Sequence, residues 1–565
     1  MDEKSADYSQ WSHTDLIARV TELEKKLAKK NNGFFNSYAP PNARERSPPA
    51  EKPKPTKKQR AFDASKYTTR HIALKFAYLG QRYNGYEHHA NNLTPLPAVE
   101  EELWRALMKC RLIFPTQQEG APQTKHGRGP WEGTVNWDGT DYSKCGRTDK
   151  GVSAFGQVVG IRVRSNRPVK PKALTEAEKI EEVVEAMMGK VGEGQTDPGG
   201  IQVSSLPSEQ PEKPFHDVRD EMPYLHLLNR VLPPDIRVLA WCPNPPPDFS
   251  ARFHCKERRY RYFFTNPAFL PVPGSQSTAD GWLDLAAMRK AASYLEGLHD
   301  FRNFCKIDPS KQITNFERRI FHTSIDEVST LDTPSFAPLY AQEVAPMKVY
   351  SFEVHGSAFL WHQVRCLVAV LFLVGQGLEN PDVVEQLLDV KKCSSRPNYE
   401  MATDAPLVLW DCIFPKHPSQ PSQASEKNVD ALNWIYVGDD TGGIDGRKSN
   451  YDGKWGGVGV MDDIWQIWRN RKMEEVLAAL LMQRTAVQGS ETPEQVRARA
   501  ALAAQKNKTT RWFGGGDSWK PVGEYVPVMK KQRMESIEVV NARYAAKKGL
   551  APRESTAAAK DDANE

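Results

Sequence analysis

The sequence predicts an α+β fold built from two ferredoxin-like halves, with disordered or extended termini. Segments with a two-residue apolar period and segments with helical spacing alternate in two comparable sets, at about 71–242 and 256–415. The hydrophobic fraction, 39% of 565 residues, is large enough to form a sizeable core.

The first set opens with an alternating strand. In "HIALKFAYLG", Ile72, Leu74, Phe76 and Tyr78 alternate with smaller or polar residues, which predicts a half-buried strand. "AVEEELWRALMKC" then repeats apolar residues at helical spacing, which predicts a helix with its charged face outward. A strand follows in "GQVVGIRVRS", with valine and isoleucine on one face and two arginines on the other.

The second set opens with a strand that is both basic and aromatic. In "FHCKERRYRYFF", Arg258, Tyr260 and Tyr262 share one face, and Arg259 and Arg261 share the other. The elements expected after it are a helix at 282–297, strands at 319–328 and 349–356, a long helix at 359–377 and a final strand at 406–414.

Outside the two sets, composition separates termini and loops from the core. Apolar residues at spacings of three and four predict an amphipathic helix or short coiled coil at the N-terminus. The basic, proline-rich segment after it is either a solvated linker or a nuclear-localisation or RNA-steering tail. The predicted regions are the helix 1–30, the linker 31–66, a first half 67–255 with inserted loops at 115–140 and 189–213, a second half 256–415, and an extension 416–565 without an assigned role.

Composition argues against several protein classes. The longest apolar run, 366–375, is far shorter than the roughly 20 residues that span a bilayer, and "MDEKSADYSQ" lacks the features of a secretory signal. We therefore expect a soluble chain in the cytoplasm, the nucleus or both. The eight cysteines include no C-x-x-C pair, which favours free thiols over a structural zinc site. The net charge of +5 is too small to identify a partner.

The stretch "SKCGRTDKGVSAFGQV" places Asp149 between Arg147 and Lys150 on a predicted turn ahead of a strand. Such a turn has a structural interpretation, because Asp caps turns and Gly supplies a positive φ. It also has a functional one, a carboxylate nucleophile, which must be ionised and which neighbouring guanidinium groups favour in the charged form.

Two further clusters add to this pattern. "ARFHCKERRYRY" interleaves basic and aromatic side chains, which suits phosphate contacts and base stacking but also suits an exposed strand with a solvated basic face. In "FLWHQVRCL", helical spacing predicts that Phe359, His362 and Cys366 share one helix face. Arg365, so close to an apolar run, needs an acceptor, and Asp149 is the expected one.

Five blocks together resemble a known family: "KCGRTDKGVSAFGQV", "LNRVLPPDIRVLAW", "DFSARFHCKERRYRYFF", "FLWHQVRCLVAVLFLVGQGLE" and "APLVLWDC". They follow the order and rough spacing of the TruA superfamily of tRNA pseudouridine synthases over about residues 71–415. With "NFCKID" and the N-terminal helix, the chain is most similar to the eukaryotic branch that modifies positions 38 and 39 of the tRNA anticodon stem-loop.

The resemblance implies the pseudouridine synthase fold, in which the two halves share a central antiparallel sheet flanked by helices. It also implies tRNA as the partner, a homodimer and an isomerisation without a cofactor. In that reaction the N-glycosidic bond of uridine is cleaved, the base rotates and a C5 glycosidic bond forms. By position in the blocks, Asp149 is the nucleophile, Arg147 holds the target nucleotide out of its stack, and Tyr260 packs on the flipped base and assists proton removal from C5. Arg365 is expected to pair with Asp149. The remaining substrate contacts are expected from Leu407 as a wall of the base pocket, Arg258, Arg259, Lys144 and His362.

Two other functions compete with this one. The same chemistry could act on another RNA uridine, or the chain could be a non-catalytic RNA-binding or tRNA-folding protein. Asp149 discriminates between an enzyme and a binder, because a carboxylate in a cationic groove repels phosphate and only the enzyme needs it. No metal, cofactor or membrane partner is expected.

Overall fold

A sheet of ten strands organises the part of the chain that the structure, a computed structural model, describes. That part comprises residues 63–89, 94–114, 135–169, 214–272, 275–328, 347–415, 430–439, 454–455, 459–486, 488–506 and 510–549. The predicted N-terminal helix, nearly all of the predicted linker and the loop residues 115–134 and 189–213 lie outside these ranges.

The strands of the large sheet include each of those predicted from two-residue alternation. They are β1 (Thr68–Tyr78), β2 (Ser143–Lys144), β3 (Ser153–Ser165), β4 (Ile236–Cys242), β5 (Glu257–Asn266), β6 (Gly297–Asp300), β7 (Glu317–Glu327), β8 (Lys348–Gly356), β9 (Leu407–Ile413) and β10 (Ile435–Tyr436). A separate two-stranded sheet contains β11 (Thr510–Trp512) and β12 (Lys520–Val522).

The strand order divides the large sheet into two sides. It is β10-β4-β1-β3-β9-β5-β8-β7-β6, with β2 also paired to β3. Strands up to residue 242 lie on one side, joined by β10, and strands from 257 to 413 lie on the other. The fold is therefore a mixed α+β fold with a large central sheet, and the two sides follow the two predicted sets.

The two sides meet where β3 pairs with β9. This pairing is parallel, at Ser153↔Val408 and Ala154↔Leu409, whereas the other strand pairs of this sheet, among the described residues, are antiparallel. The prediction of an antiparallel sheet is wrong at this junction, because both strands are entered from the same end of the sheet. As a result, the turn before β3 and the loop before β9 lie side by side.

The helices pack on this sheet or follow it. They are α1 (Val99–Lys109), α2 (Tyr224–Asn229), α3 (Ala251–His254), α4 (Leu285–Ser293), α5 (Gln363–Gly375), α6 (Val383–Leu388), α7 (Val460–Ala486), α8 (Pro493–Lys506) and α9 (Ile537–Lys548). Short 3₁₀ turns occur at Ala64–Lys66, Gly80–Arg82, Thr278–Asp280, Arg302–Phe304 and Val528–Lys530.

Helix α5 is the central helix of the second side. Twelve of its 13 residues are buried, as expected of a helix that is apolar on every face, and Arg365 is the exception. The helix begins at Gln363 and not at the predicted residue 359, because His362 has a left-handed φ of +60°. Phe359 and His362 therefore precede the helix, and the predicted helix face shared by Phe359, His362 and Cys366 is wrong.

Two apolar cores lie on the two sides of the sheet, and the C-terminal extension contributes to the second one. Phe513, Val528 and Ile537 belong to the same buried cluster as the residues of α5. The side-chain amide of Gln376 exchanges two hydrogen bonds with the backbone of Phe513, at 2.8 and 3.0 Å. Residues 510–549 are thus part of the folded body and not a separate appendage.

Helix α7, unlike residues 510–549, contributes nothing to the buried cores. None of its 27 residues is buried, and Arg237 holds its first turn through Asp463 at 2.7 Å. Among the described helices, none is both long enough and apolar enough to cross a membrane.

Candidate active-site cleft

A cleft of about 690 Å³ lies where the two sides of the sheet meet. The parallel β3–β9 junction explains this position, because the turn before β3, the loop before β9 and the start of α5 all reach it. Eight of the nine residues proposed from sequence line the cleft: Lys144, Arg147, Asp149, Arg258, Tyr260, His362, Arg365 and Leu407.

Arg259 is the residue that does not line the cleft. It alternates with Tyr260 along β5, so its side chain lies on the opposite face of the strand. There its Nε lies 2.6 Å from a carboxylate oxygen of Glu257. Its predicted substrate contact is not supported by this arrangement.

Asp149 lies on a tight turn that glycine makes possible. Gly151, two residues on, has φ +80°, a conformation that L side chains rarely adopt. A Cβ on Gly85 would lie 2.9 Å from the carbonyl oxygen of Thr148, so this segment packs directly against the turn. Thr148 is buried, and its hydroxyl and that of Tyr78 share a hydrogen bond of 2.7 Å. The backbone that presents Asp149 therefore has little freedom to move.

A histidine from the other side of the cleft contacts Asp149. Nε2 of His362 lies 3.3 Å from Oδ2 of Asp149, and the two side chains are 9% and 25% exposed. The left-handed backbone of His362 aims the imidazole at the turn. Its Nδ1 is buried without a hydrogen bond to any described residue. The carboxylate is thus reachable from the cleft and contacts His362.

The predicted ion pair between Arg365 and Asp149 is wrong in this structure. Nε of Arg365 donates to the carbonyl oxygen of Ala402 at 2.8 Å, and its guanidinium lies 3.8 Å from a carboxylate oxygen of Asp404. The loop before β9 therefore supplies both a hydrogen-bond acceptor and a negative charge for the Arg365 guanidinium. A Cβ on Gly151 would lie 3.1 Å from the carboxyl carbon of Asp404, so Asp404 rests against the turn. Arg365 therefore supports the turn through Asp404.

The floor of the cleft is aromatic and apolar. The ring of Tyr260 packs edge-on against Phe359, with centroids 5.0 Å apart and planes at 80°. Burial raises the pKa of the Tyr260 phenol well above its ordinary value, so the side chain stays a neutral hydroxyl at neutral pH. Leu407, the first residue of β9, is 4% exposed and forms part of the lining.

Two of the predicted cations share one carboxylate at the cleft. Lys144 Nζ and Arg147 Nε lie 2.9 and 3.1 Å from the two carboxylate oxygens of Glu87. Burial opposes ionisation of Glu87, but Lys144 and then Arg147 outweigh it and lower the pKa of that carboxyl. The Arg147 side chain is 46% exposed, so it can reach a ligand, whereas Arg258 is 7% exposed.

Two exposed aromatic residues of the lining were missed by the sequence reasoning. Trp361 is 42% exposed and Phe253 is 51% exposed. Lys306 Nζ lies 4.8 Å from the Trp361 ring centroid, and the Arg252 guanidinium lies 5.3 Å from that of Phe253. Both aromatics were inside the quoted blocks, but spacing alone does not tell an exposed aromatic from a buried one.

The lining is strongly cationic. Eight lysine or arginine residues face three carboxylates there, so the cleft attracts a polyanion although the whole chain is nearly neutral. A cationic groove with aromatic side chains is the arrangement that binds an RNA backbone and stacks an unpaired base.

Comparisons with known proteins agree with this geometry. A family model described as tRNA pseudouridine synthase matches residues 291–415. A Saccharomyces cerevisiae protein named tRNA pseudouridine(38/39) synthase is 34% identical over 97% of this chain and 93% of its own length. A Homo sapiens protein of the same name is 37% identical over 75% of this chain and 71% of its own length.

Proposed function

This chain belongs to the tRNA pseudouridine synthase family, and from that premise we propose that it isomerises uridine to pseudouridine at positions 38 and 39 of the tRNA anticodon stem-loop. The observation that carries the proposal is Asp149, a carboxylate on a rigid turn at the centre of a cationic cleft. A protein that only binds RNA would gain nothing from a negative charge at that point.

The reaction needs an accessible nucleophile and a base removed from its stack. Asp149 breaks the bond between C1′ and N1 of uridine, the base rotates, C1′ bonds to C5, and the C5 proton is lost while N1 gains one. A stacked base is out of reach of the turn, so extrusion of the nucleotide, at a cost of a few kcal/mol, precedes this chemistry.

Tyr260 and Leu407 form the pocket for the rotating base. A neutral phenol and a leucine wall allow rotation, because neither holds the uracil edge in one orientation. Since burial keeps Tyr260 protonated, any role in removing the C5 proton requires its hydroxyl to pass its own proton on as it accepts one.

Arg147, Arg365 and His362 complete the proposed machinery with different tasks. Arg147, exposed at the cleft, takes the place of the target nucleotide in its stack. His362 contacts the nucleophile directly. Arg365 is a positioning residue that acts through Asp404, which replaces the direct pairing expected from sequence.

The cationic lining and rim aromatics suit the rest of the tRNA. Lys144 is proposed to contribute to the positive field, and Trp361 and Phe253 to stack on nucleotides next to the flipped one. Arg258 is buried and donates to backbone carbonyl oxygens, so its expected substrate contact is not part of this proposal. The proposal further includes ferredoxin-like halves at 67–255 and 256–415 within the pseudouridine synthase fold, a homodimer, and action in the cytoplasm, the nucleus or both.

Pseudouridine mapping on unmodified tRNA tests the proposal. Wild-type protein is expected to give an adduct-dependent primer-extension stop at position 38 or 39, and Asp149→Asn is expected to bind tRNA but form product more than about a thousandfold more slowly. Asp308→Asn removes another carboxylate of the same lining and serves as the matched control, with product retained.

Two outcomes would redirect the proposal. Binding of tRNA by wild-type protein without product on any tRNA would support the non-catalytic RNA-binding hypothesis. Product at a different uridine, abolished by Asp149→Asn, would keep the chemistry and reject positions 38 and 39.

A further inference from the structure

Three cysteine thiols meet beneath the active-site cleft. Cys145 follows β2, Cys255 precedes β5 and Cys412 lies in β9, so three separated segments supply them. Their Sγ atoms all lie within 4.8 Å of one another. The three residues are 3%, 1% and 0% exposed, respectively.

A buried arginine lies beside these thiols and has no carboxylate partner. Arg258 is 7% exposed, and its guanidinium donates to the carbonyl oxygens of Ser357, Cys145 and Arg252 at 2.7, 3.0 and 3.1 Å. Carbonyl oxygens satisfy its hydrogen bonds but not its charge. Within the described residues, no carboxylate lies within ion-pair distance of it. An uncompensated buried charge is costly, so the surroundings must supply a negative one.

Three cysteine thiolates bound to one divalent metal ion would form a cluster with one net negative charge. Three thiolates and one divalent ion carry a net charge of −1, which balances the +1 of Arg258. Thiolates on tetrahedral Zn²⁺ lie ~3.8 Å apart, as follows from a Zn–S bond of about 2.3 Å. The observed limit of 4.8 Å therefore requires only a contraction of side chains that already face one another.

The ligand set also suits a particular class of metal. Thiolate sulfur is soft and selects ions such as Zn²⁺ over Mg²⁺ or Ca²⁺, which prefer oxygen. Cys145 is part of the cleft lining, so a fourth ligand can come from water on that side. A structural role is expected, because the burial of all three sulfur atoms restricts access to the ion.

We propose that Cys145, Cys255 and Cys412 bind one Zn²⁺ ion. The ion would join the segment that leads into the Asp149 turn to β5, which carries Tyr260, and to β9, which begins at Leu407. The proposal departs from the sequence prediction of no metal, which rested on cysteine spacing.

Metal content of the purified full chain tests this proposal without reference to activity. Protein prepared without chelators is expected to contain about one zinc per chain, and Cys145→Ser, Cys255→Ser and Cys412→Ser to lower it by about tenfold or more each. Cys242→Ser is the matched control, because Cys242 is 1% exposed in the same apolar core and lies outside the cluster. It should retain its zinc.

Cobalt substitution of the wild-type protein provides a second measurement that needs no variant to fold. Co²⁺ bound by three thiolates is expected to give sulfur-to-metal charge-transfer absorption and the visible bands of a tetrahedral site. Wild-type protein that contains no stoichiometric zinc and gives no such spectrum would overturn the proposal. Equal zinc in wild type and in all three folded cluster variants would also overturn it. Zinc content and the cobalt spectrum are both measured without tRNA, so their outcome is independent of whether Asp149 is the nucleophile.

Discussion

The two walls of the cleft are held in place by different means. The first wall, residues 145–152, is constrained through its backbone, by the close approach of Gly85 and the left-handed φ of Gly151. The second wall, residues 359–366, has side-chain hydrogen bonds in addition to its backbone contacts: Gln363 accepts the Leu360 N–H at 2.8 Å, and Arg365 donates to Ala402.

The difference matches the tasks proposed for the two walls. Asp149 must meet one atom of the substrate, and a backbone without freedom fixes its position. The second wall carries His362 and Trp361, which must adapt to a nucleotide that enters and turns. Substitutions on the first wall should therefore lower activity by displacing Asp149. Those on the second wall should remove single contacts to the nucleotide or to Asp149.

Among substitutions that leave the nucleophile in place, the largest effect is expected where the first wall is tightest. Gly85→Ala forces an L side chain into a left-handed φ of +92° and places its Cβ 2.9 Å from the Thr148 carbonyl oxygen. We expect a loss of about 2–4 kcal/mol in the free energy of unfolding and about a hundredfold in kcat, because the turn has to shift. Chemical denaturation and single-turnover kinetics measure the two effects.

Gly139→Ala is the control for backbone strain alone. Gly139 has φ +76°, but a Cβ there meets nothing within 4 Å. It should lose about 1–2 kcal/mol of stability and no activity. Equal kinetic effects in the two variants would contradict the view that Gly85 positions the turn.

A smaller effect is expected from Arg365 and Asp404, which pack against the Asp149 turn. Arg365→Met removes the bond to Ala402 and the contact with Asp404, and should lower kcat by about 10- to 100-fold with KM changed less than about twofold. Asp404→Asn should act in the same direction. The double variant should be no worse than the poorer single variant, since each acts through the other.

Lys392→Met provides the matched control for loss of a cation beside an aspartate. Its ammonium lies 3.6 Å from Asp389 at an exposed site, so neither kcat nor KM should change. Additive losses in the Arg365 and Asp404 variants, or a change confined to KM, would refute the positioning role.

The smallest effect is expected at the contact between the walls. Asn tolerates the left-handed conformation of His362, but its shorter side chain does not reach Asp149, so His362→Asn should lower kcat by about fivefold, as expected for the loss of one polar contact. His362→Ala loses the contact and adds backbone strain, so it should lose more activity and also stability. Identical kinetics for both variants and wild type would show that this contact does not serve the reaction.

Local periodicity predicted most elements of the two sides, and the resemblance to a known family pointed to eight residues that the cleft brings together. Alternation identified the strand of Tyr260 with its two faces, and the same alternation explains why Arg259 lies outside the cleft. The start of α5 was missed because helical spacing says nothing about the left-handed backbone at His362. The packing of residues 510–549 was missed because Phe513 and Val528 join a core built by distant segments.

By itself, the sequence determined most of the strands and helices of the two sides and the basic and aromatic character of β5. These features depend on neighbours within a few positions, which a periodic pattern records. Only the tertiary structure decided that β3 and β9 run parallel, that His362 and not Arg365 faces Asp149, and that Cys145, Cys255 and Cys412 converge. Those contacts join residues more than a hundred positions apart, and they depend on sheet order and on competition between acceptors, which local spacing does not encode.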